Sequence, residues 1–159
     1  MFLAVRNGAI AMENFEILSR VFFFQELTPD QLAKIAAITK REKFRIGQKI
    51  FEAGSDSRAF YLIRSGAVMV KKGAMVLATP QAGDCIGEIS FVDRGKRSAT
   101  VAAIEETELL AVPFAELDAL FIREPQLAAA IYKTIATILS RRLREMDETV
   151  NTRFQPVKF

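Results

Sequence analysis

An eight-stranded β jelly roll, flanked by N-terminal helices and a long C-terminal helix, is the mainly β fold class this sequence predicts. Two observations carry that reading. The apolar spacing is helical from residue 13 to about 42, breaks into short β-prone runs over 43–112, and turns helical again over 113–150. The β-prone runs are separated by Gly, Pro, Ser and Asp clusters at the spacing of a sandwich or barrel. Residues 13–150 therefore read as one domain, 1–12 as a disordered N-terminal extension and 151–159 as a tail.

In the first helical part, Phe15, Leu18, Val21 and Phe22 recur at intervals of three and four, as do Leu32, Ile35 and Ala36. The second of these helices carries its own start signal. Thr28 caps it, Pro29 takes the first helical position, and Gln31 completes a capping box. Phe22-Phe23-Phe24 reads as core between the helices and the β-block.

The predicted strands are Lys43–Ile46, Lys49–Phe51, Ala59–Arg64, Ala67–Lys72, Met75–Thr79, Asp84–Ile86, Ala99–Ala103 and Glu108–Val112. Ala53-Gly54-Ser55-Asp56, Ser65-Gly66, Lys72-Gly73 and Pro80-Gln81-Ala82-Gly83 supply turns. From Pro113, Phe114, Leu117, Leu120 and Phe121 mark a helix that breaks at Glu124-Pro125. A long helix follows from Gln126 to about Val150, with an apolar stripe of Ile131, Ile135, Ile138, Leu139, Leu143, Met146 and Val150.

One segment interrupts the strand series and carries the chemistry: Gly87-Glu88-Ile89-Ser90, then Arg97-Ser98-Ala99-Thr100-Val101. Unpaired backbone N–H groups at a helical turn attract an anion. Arg97, nine residues beyond Glu88, can close on that anion with a planar charged fork. Ser90, Ser98 and Ala99 are small enough to let a phosphate approach the backbone. Glu88 would repel a phosphate, and makes sense if the ligand also offers ribose hydroxyls. Capping the helical turn, or pairing with a neighbouring arginine, are its other uses.

The cassette resembles the phosphate-binding segment of cyclic nucleotide-binding domains, found in kinase regulatory subunits, catabolite activator proteins and nucleotide-regulated channels. The likeness extends upstream to Gly47-Gln48-Lys49-Ile50-Phe51-Glu52-Ala53-Gly54 and to Ala59-Phe60-Tyr61-Leu62-Ile63-Arg64-Ser65-Gly66. It implies a ligand site at Gly87, Glu88, Ile89, Ser90, Arg97, Ser98 and Ala99, taking cyclic AMP ahead of cyclic GMP because Ser98 stands where threonine accompanies cyclic-GMP preference. It also implies a C-terminal helix that closes over the base as a lid and carries the signal outward, with Arg142, Arg144 and Met146 as the lid candidates. Partners would be a second copy, through that helix, or an effector protein.

Composition narrows the rest. With 159 residues, half of them apolar, the chain can bury a real core. A net charge of +3, spread along the chain, is too weak to argue for nucleic acid, and no DNA reader is expected. The chain has no histidine and one cysteine, which rules out a Cys-His nucleophile pair and an internal disulfide. The expectation is a non-enzymatic, cytoplasmic sensor without metal or cofactor and without a membrane segment. The rival is an interaction domain that keeps the fold and leaves the pocket unused.

Overall fold

The computed structural model describes the backbone of residues 2–153 and the side chains of 8–21 and 23–148. Helices α1 (Phe2–Leu18) and α2 (Pro29–Ile38), joined through a 3-10 turn at Phe22–Phe24, precede the β-block. The strands are β1 (Lys40–Phe44), β2 (Lys49–Phe51), β3 (Ala59–Ser65), β4 (Val68–Lys72), β5 (Met75–Ala78), β6 (Cys85–Ile86), β7 (Thr100–Ala103) and β8 (Thr107–Pro113). Helix α3 (Glu88–Asp93) is inserted between β6 and β7, and α4 (Phe114–Arg123) and α5 (Pro125–Arg153) follow β8.

The strands form two antiparallel four-stranded sheets, ordered β1-β8-β3-β6 and β2-β7-β4-β5. Neighbours in each sheet are mostly distant in sequence, as a jelly roll requires. Between the sheets lie Phe44, Ile63, Val68, Ile86, Val101, Ala103 and Leu109. A second, larger core packs α1, α2, α4 and α5 against β3 and β8 around Phe23, Phe60, Phe91, Leu110, Ile131 and Ile135.

The capping box forms: Gln31 N–H donates to Thr28 Oγ1 at 3.2 Å and Thr28 N–H to Gln31 Oε1 at 3.0 Å. Phe23 and Phe24 are buried. The side chains of Phe22 and Val150, both counted in the apolar patterns, lie outside the described residues, as do positions 154–159 of the expected tail.

Three boundaries differ from the sequence expectation. Residues 2–12 are helical rather than a disordered extension, because Leu3-Ala4 and Ala9-Ile10-Ala11-Met12 favour helix strongly enough to absorb the cost of Gly8. Strand β1 starts at Lys40, where its residues pair with β8 from Lys40–Ala111 to Phe44–Thr107; cross-strand pairing overrides the helical spacing there. Helix α5 runs to Arg153, into the segment read as tail.

Phe91 holds α3 in place. It is fully buried, and its ring lies 6.1 Å from Phe60 of β3, 5.0 Å from Phe114, 5.9 Å from Phe121 and 5.8 Å from Tyr132 of α5. One side chain thereby ties the insertion to the sheet and to both C-terminal helices.

Candidate ligand-binding site

Gly87 links β6 to α3 as the N-cap residue with φ of 81°, a left-handed conformation that L residues with a side chain rarely adopt. A Cβ at this position would also collide with Nη1 of Arg97. The turn it makes buries Glu88 (1 % exposed) and Ser90 and leaves Ile89 half exposed.

Arg97 is 4 % exposed. The loop that carries it is pinned to the β2–β3 turn, with Arg97 N–H donating to Ser55 O at 3.0 Å and Gly54 N–H to Arg97 O at 2.8 Å. Its guanidinium donates from Nη2 to Ala59 O at 2.6 Å and from Nη1 to Gly87 O at 3.3 Å, while its buried Nε has no partner. The Cζ atom lies 4.0 Å from the ring centre of Phe51 and 5.8 Å from that of Tyr61. Burial pulls the guanidinium down from its ordinary pKa, opposed by Tyr61 and Glu88. Among the described residues no carboxylate forms an ion pair with it.

A cavity of about 480 Å³ opens here, within the range of small-molecule sites. The structure brings Gly87, Glu88, Ile89, Ser90, Arg97, Ser98 and Ala99 together on its wall. The β-block adds Phe51, Val70, Ala78, Thr79, Pro80, Asp84, Cys85, Ile86 and Val101, and α5 contributes Arg141, Arg142 and Glu145. The sequence reading missed the β wall because apolar strand residues look alike whether they face a core or a ligand.

Of the three lid candidates, Arg142 alone lines the cavity. It makes a short ion pair with Glu88 and donates from Nη2 to Cys85 O at 3.4 Å. Arg144 and Met146 are exposed and do not line it. That placement has a geometric cause. Residues 141, 142 and 145 share the cavity side of a 3.6-residue turn, Arg144 points away, and Met146 projects one turn further along. Arg141 and Glu145 were not singled out beforehand, though the i, i+4 spacing is a signal that could have grouped them.

Arg94 and Lys96, on the loop that leads to Arg97, form exposed ion pairs with Asp118 at 2.7 Å and Asp56 at 2.9 Å. Cys85 is a buried free thiol on the cavity wall, and burial pushes its pKa well above the ordinary value. Among the described residues, no cluster of three or more His, Cys, Asp or Glu side chains can hold a metal, and no helix is long and apolar enough to cross a membrane.

The cyclic nucleotide-binding domain profile matches residues 41–124, which contain both Glu88 and Arg97. The chain belongs to that family. It is 35% identical over 129 residues to the cyclic AMP receptor protein of Thermus thermophilus, a match covering 78% of this chain and 58% of that protein. It is 31% identical over 97 residues to a cAMP-dependent protein kinase regulatory subunit of Hypocrea atroviridis, covering 61% of this chain and 21% of the subunit. The crystal structure of Thermus thermophilus catabolite activator protein superposes with a TM-score of 0.69 at 32% identity, over 82% of this chain and 62% of that one. The match thus spans less than two thirds of the length of each relative. The family is a regulatory ligand-binding fold, and its β-rich architecture with a long C-terminal helix is the one described above.

Proposed function

We propose that this chain is a cyclic nucleotide sensor, selective for cyclic AMP over cyclic GMP, whose occupancy is transmitted through α5. The observation that carries the reading is a buried arginine with no carboxylate partner among the described residues, sharing a cavity with a buried glutamate. A phosphodiester supplies the missing anion to Arg97, whose Nε is an unused buried donor. The ribose 2′-hydroxyl supplies a donor to Glu88. Relatives named for cyclic AMP support that nucleotide.

Transmission through α5 rests on where that helix is held. Its buried positions end at Ile138, and residues 140–148 are exposed, yet Arg142 reaches from that stretch to Glu88. A ligand on Glu88 therefore acts on the same carboxylate that anchors the helix, and it shifts the helix only by as much as it prefers one position over another. Leu139, Leu143 and Met146 continue an apolar seam at coiled-coil spacing, with Leu143 and Met146 exposed, which suits a second copy of α5. The buried free cysteine suits a reducing compartment, in keeping with a cytoplasmic site of action. We read no catalysis into the site: the domain binds and signals.

The test is a thermal-shift series with cyclic AMP and cyclic GMP, followed by light scattering. At a hundred times its dissociation constant, a ligand stabilises the fold by about 2.7 kcal/mol. Cyclic AMP should give the larger shift. Truncation after Ser140 should weaken binding and dimerisation while sparing the β fold. No shift with either nucleotide at millimolar concentration would favour the rival reading, an interaction domain with an unused pocket.

A further inference from the structure

We propose that Phe51 is a positioning residue which, with Tyr61, forms an aromatic clamp that aims the Arg97 guanidinium before a nucleotide arrives. The proposal rests on the cyclic nucleotide reading of the cavity.

The argument begins with a problem of charge. A buried guanidinium without a counter-ion is costly, and in most proteins a carboxylate relieves it. The two acids of the β2–β3 turn are already engaged: Glu52 with Lys49, and Asp56 with Lys96. Glu88, on the other side, is paired with Arg142. The groups in direct contact with Arg97 are neutral, and Glu88 acts on it only through its field. Two backbone carbonyls, of Ala59 and Gly87, take its Nη donors, and the face of Phe51 covers its Cζ at 4.0 Å. Tyr61 stacks on Phe51 at 6.1 Å between ring centres with 24° between planes, and is itself 5.8 Å from Cζ.

This arrangement has a consequence that a salt bridge would not. A carboxylate on Arg97 would have to be displaced or would offset much of the cation's field at the phosphate. Aromatic faces stabilise the cation through their quadrupoles and leave its formal charge uncancelled. They also restrict a side chain that would otherwise swing toward water. The clamp thus lowers the reorganisation needed when the anion binds, which is how preorganised sites gain affinity. Phe51 sits on a three-residue strand, β2, whose partner β7 begins three residues beyond Arg97, so clamp and arginine are held by the same pair of strands.

The experiment compares the parent chain with Phe51→Leu, which keeps apolar bulk but loses the ring, and with Phe51→Tyr, which keeps the ring. Cyclic AMP affinity is measured by calorimetry, melting by fluorescence, and the Arg97 Nε–H resonance by NMR without nucleotide. The parent resonance should be displaced upfield by ring currents. Phe51→Leu should lose that displacement and bind about tenfold more weakly or worse, with little change in melting, as expected for a desolvated cation–π contact. Phe51→Tyr should restore both. Binding by Phe51→Leu within about twofold of the parent, or equal loss in both variants, overturns the proposal. Should Phe51→Leu fail to fold, Phe51→Met, which also keeps apolar bulk and loses the ring, carries the same two expectations. If the parent binds cyclic AMP but its Arg97 resonance shows no ring shift, the clamp alone is wrong. If the resonance is shifted but the parent binds no cyclic nucleotide, the nucleotide reading fails, and the clamp's role in binding falls with it.

Discussion

Arg142, 43 % exposed on the outer stretch of α5, forms an ion pair with Glu88, whose side chain is 2 % exposed beneath it. An exposed stretch of α5 is thereby fastened to the wall of the ligand cavity by a charged contact. Removing one partner of a buried pair costs about 3–5 kcal/mol, but water can reach the Arg142 side, so Arg142→Met should cost nearer 1–2 kcal/mol. The Glu88→Gln, Arg142→Met double variant should be more stable than Arg142→Met alone, because no charge is then left buried and unpaired. Urea unfolding of the four proteins of this cycle gives the coupling, and strictly additive losses would show that the pair contributes nothing.

Gly87→Ala should damage the site and the fold together. The position needs φ of 81° and has Arg97 Nη1 where a Cβ would stand. Strain of this kind costs about 1–3 kcal/mol. Displacement of Arg97 should weaken nucleotide binding beyond what the lost stability alone explains. Denaturant unfolding and calorimetry on the same sample separate the two effects.

Phe91→Ala should cost about 3–5 kcal/mol, the range for truncating a fully buried aromatic residue. Since Phe91 joins α3 to β3, α4 and α5, amide exchange should speed up first in α3. If exchange instead rises evenly through the protein, α3 does not depend on that anchor.

Stability should be flat from about pH 5.5 to 8 and fall in acid. With no histidine in the chain and the Cys85 thiol pushed upward, no side chain titrates in that window at an ordinary value. Glu52, Asp56, Glu116 and Glu13 are held below their ordinary values by hydrogen bonds to Lys49, Lys96, Lys40 and Arg41. A folded pKa below the unfolded one contributes stability above the unfolded value, about 4, and loses it as pH falls through the lowered one. Melting temperatures across pH 2–9 check this, and a midpoint near 6.5 would contradict it.

The strands and their turns were legible in the sequence because alternation and Gly-rich punctuation are local. All seven cassette residues that pattern and resemblance picked out fall on one cavity for the same reason, since Gly87–Ser90 and Arg97–Ala99 form one continuous insertion. What sequence could not supply was non-local. The start of β1 at Lys40 depends on pairing with β8, and the β wall at Val70 and Ala78 depends on which face of the sheet curls over the cassette. Of the lid candidates, Arg144 and Met146 lie off the cavity wall because the rotation of α5 against the domain is fixed by Ile131, Ile135 and Ile138, which a family register does not contain. Glu88 shows the limit most sharply. Its pairing with an arginine was one of three open uses, and only the packing of α5 put Arg142 beside it.

The central claim is that Arg97 and Glu88 hold a cyclic nucleotide, and calorimetric titration of cyclic AMP into the parent, Arg97→Ala and Glu88→Ala proteins tests it most directly. The parent should bind with one site per chain. Arg97→Ala should lose about 2–5 kcal/mol, the cost of leaving a desolvated charge unpaired, and Glu88→Ala about 1–3 kcal/mol for a lost hydroxyl contact. Arg97→Ala binding as tightly as the parent, with both proteins folded, would contradict the account.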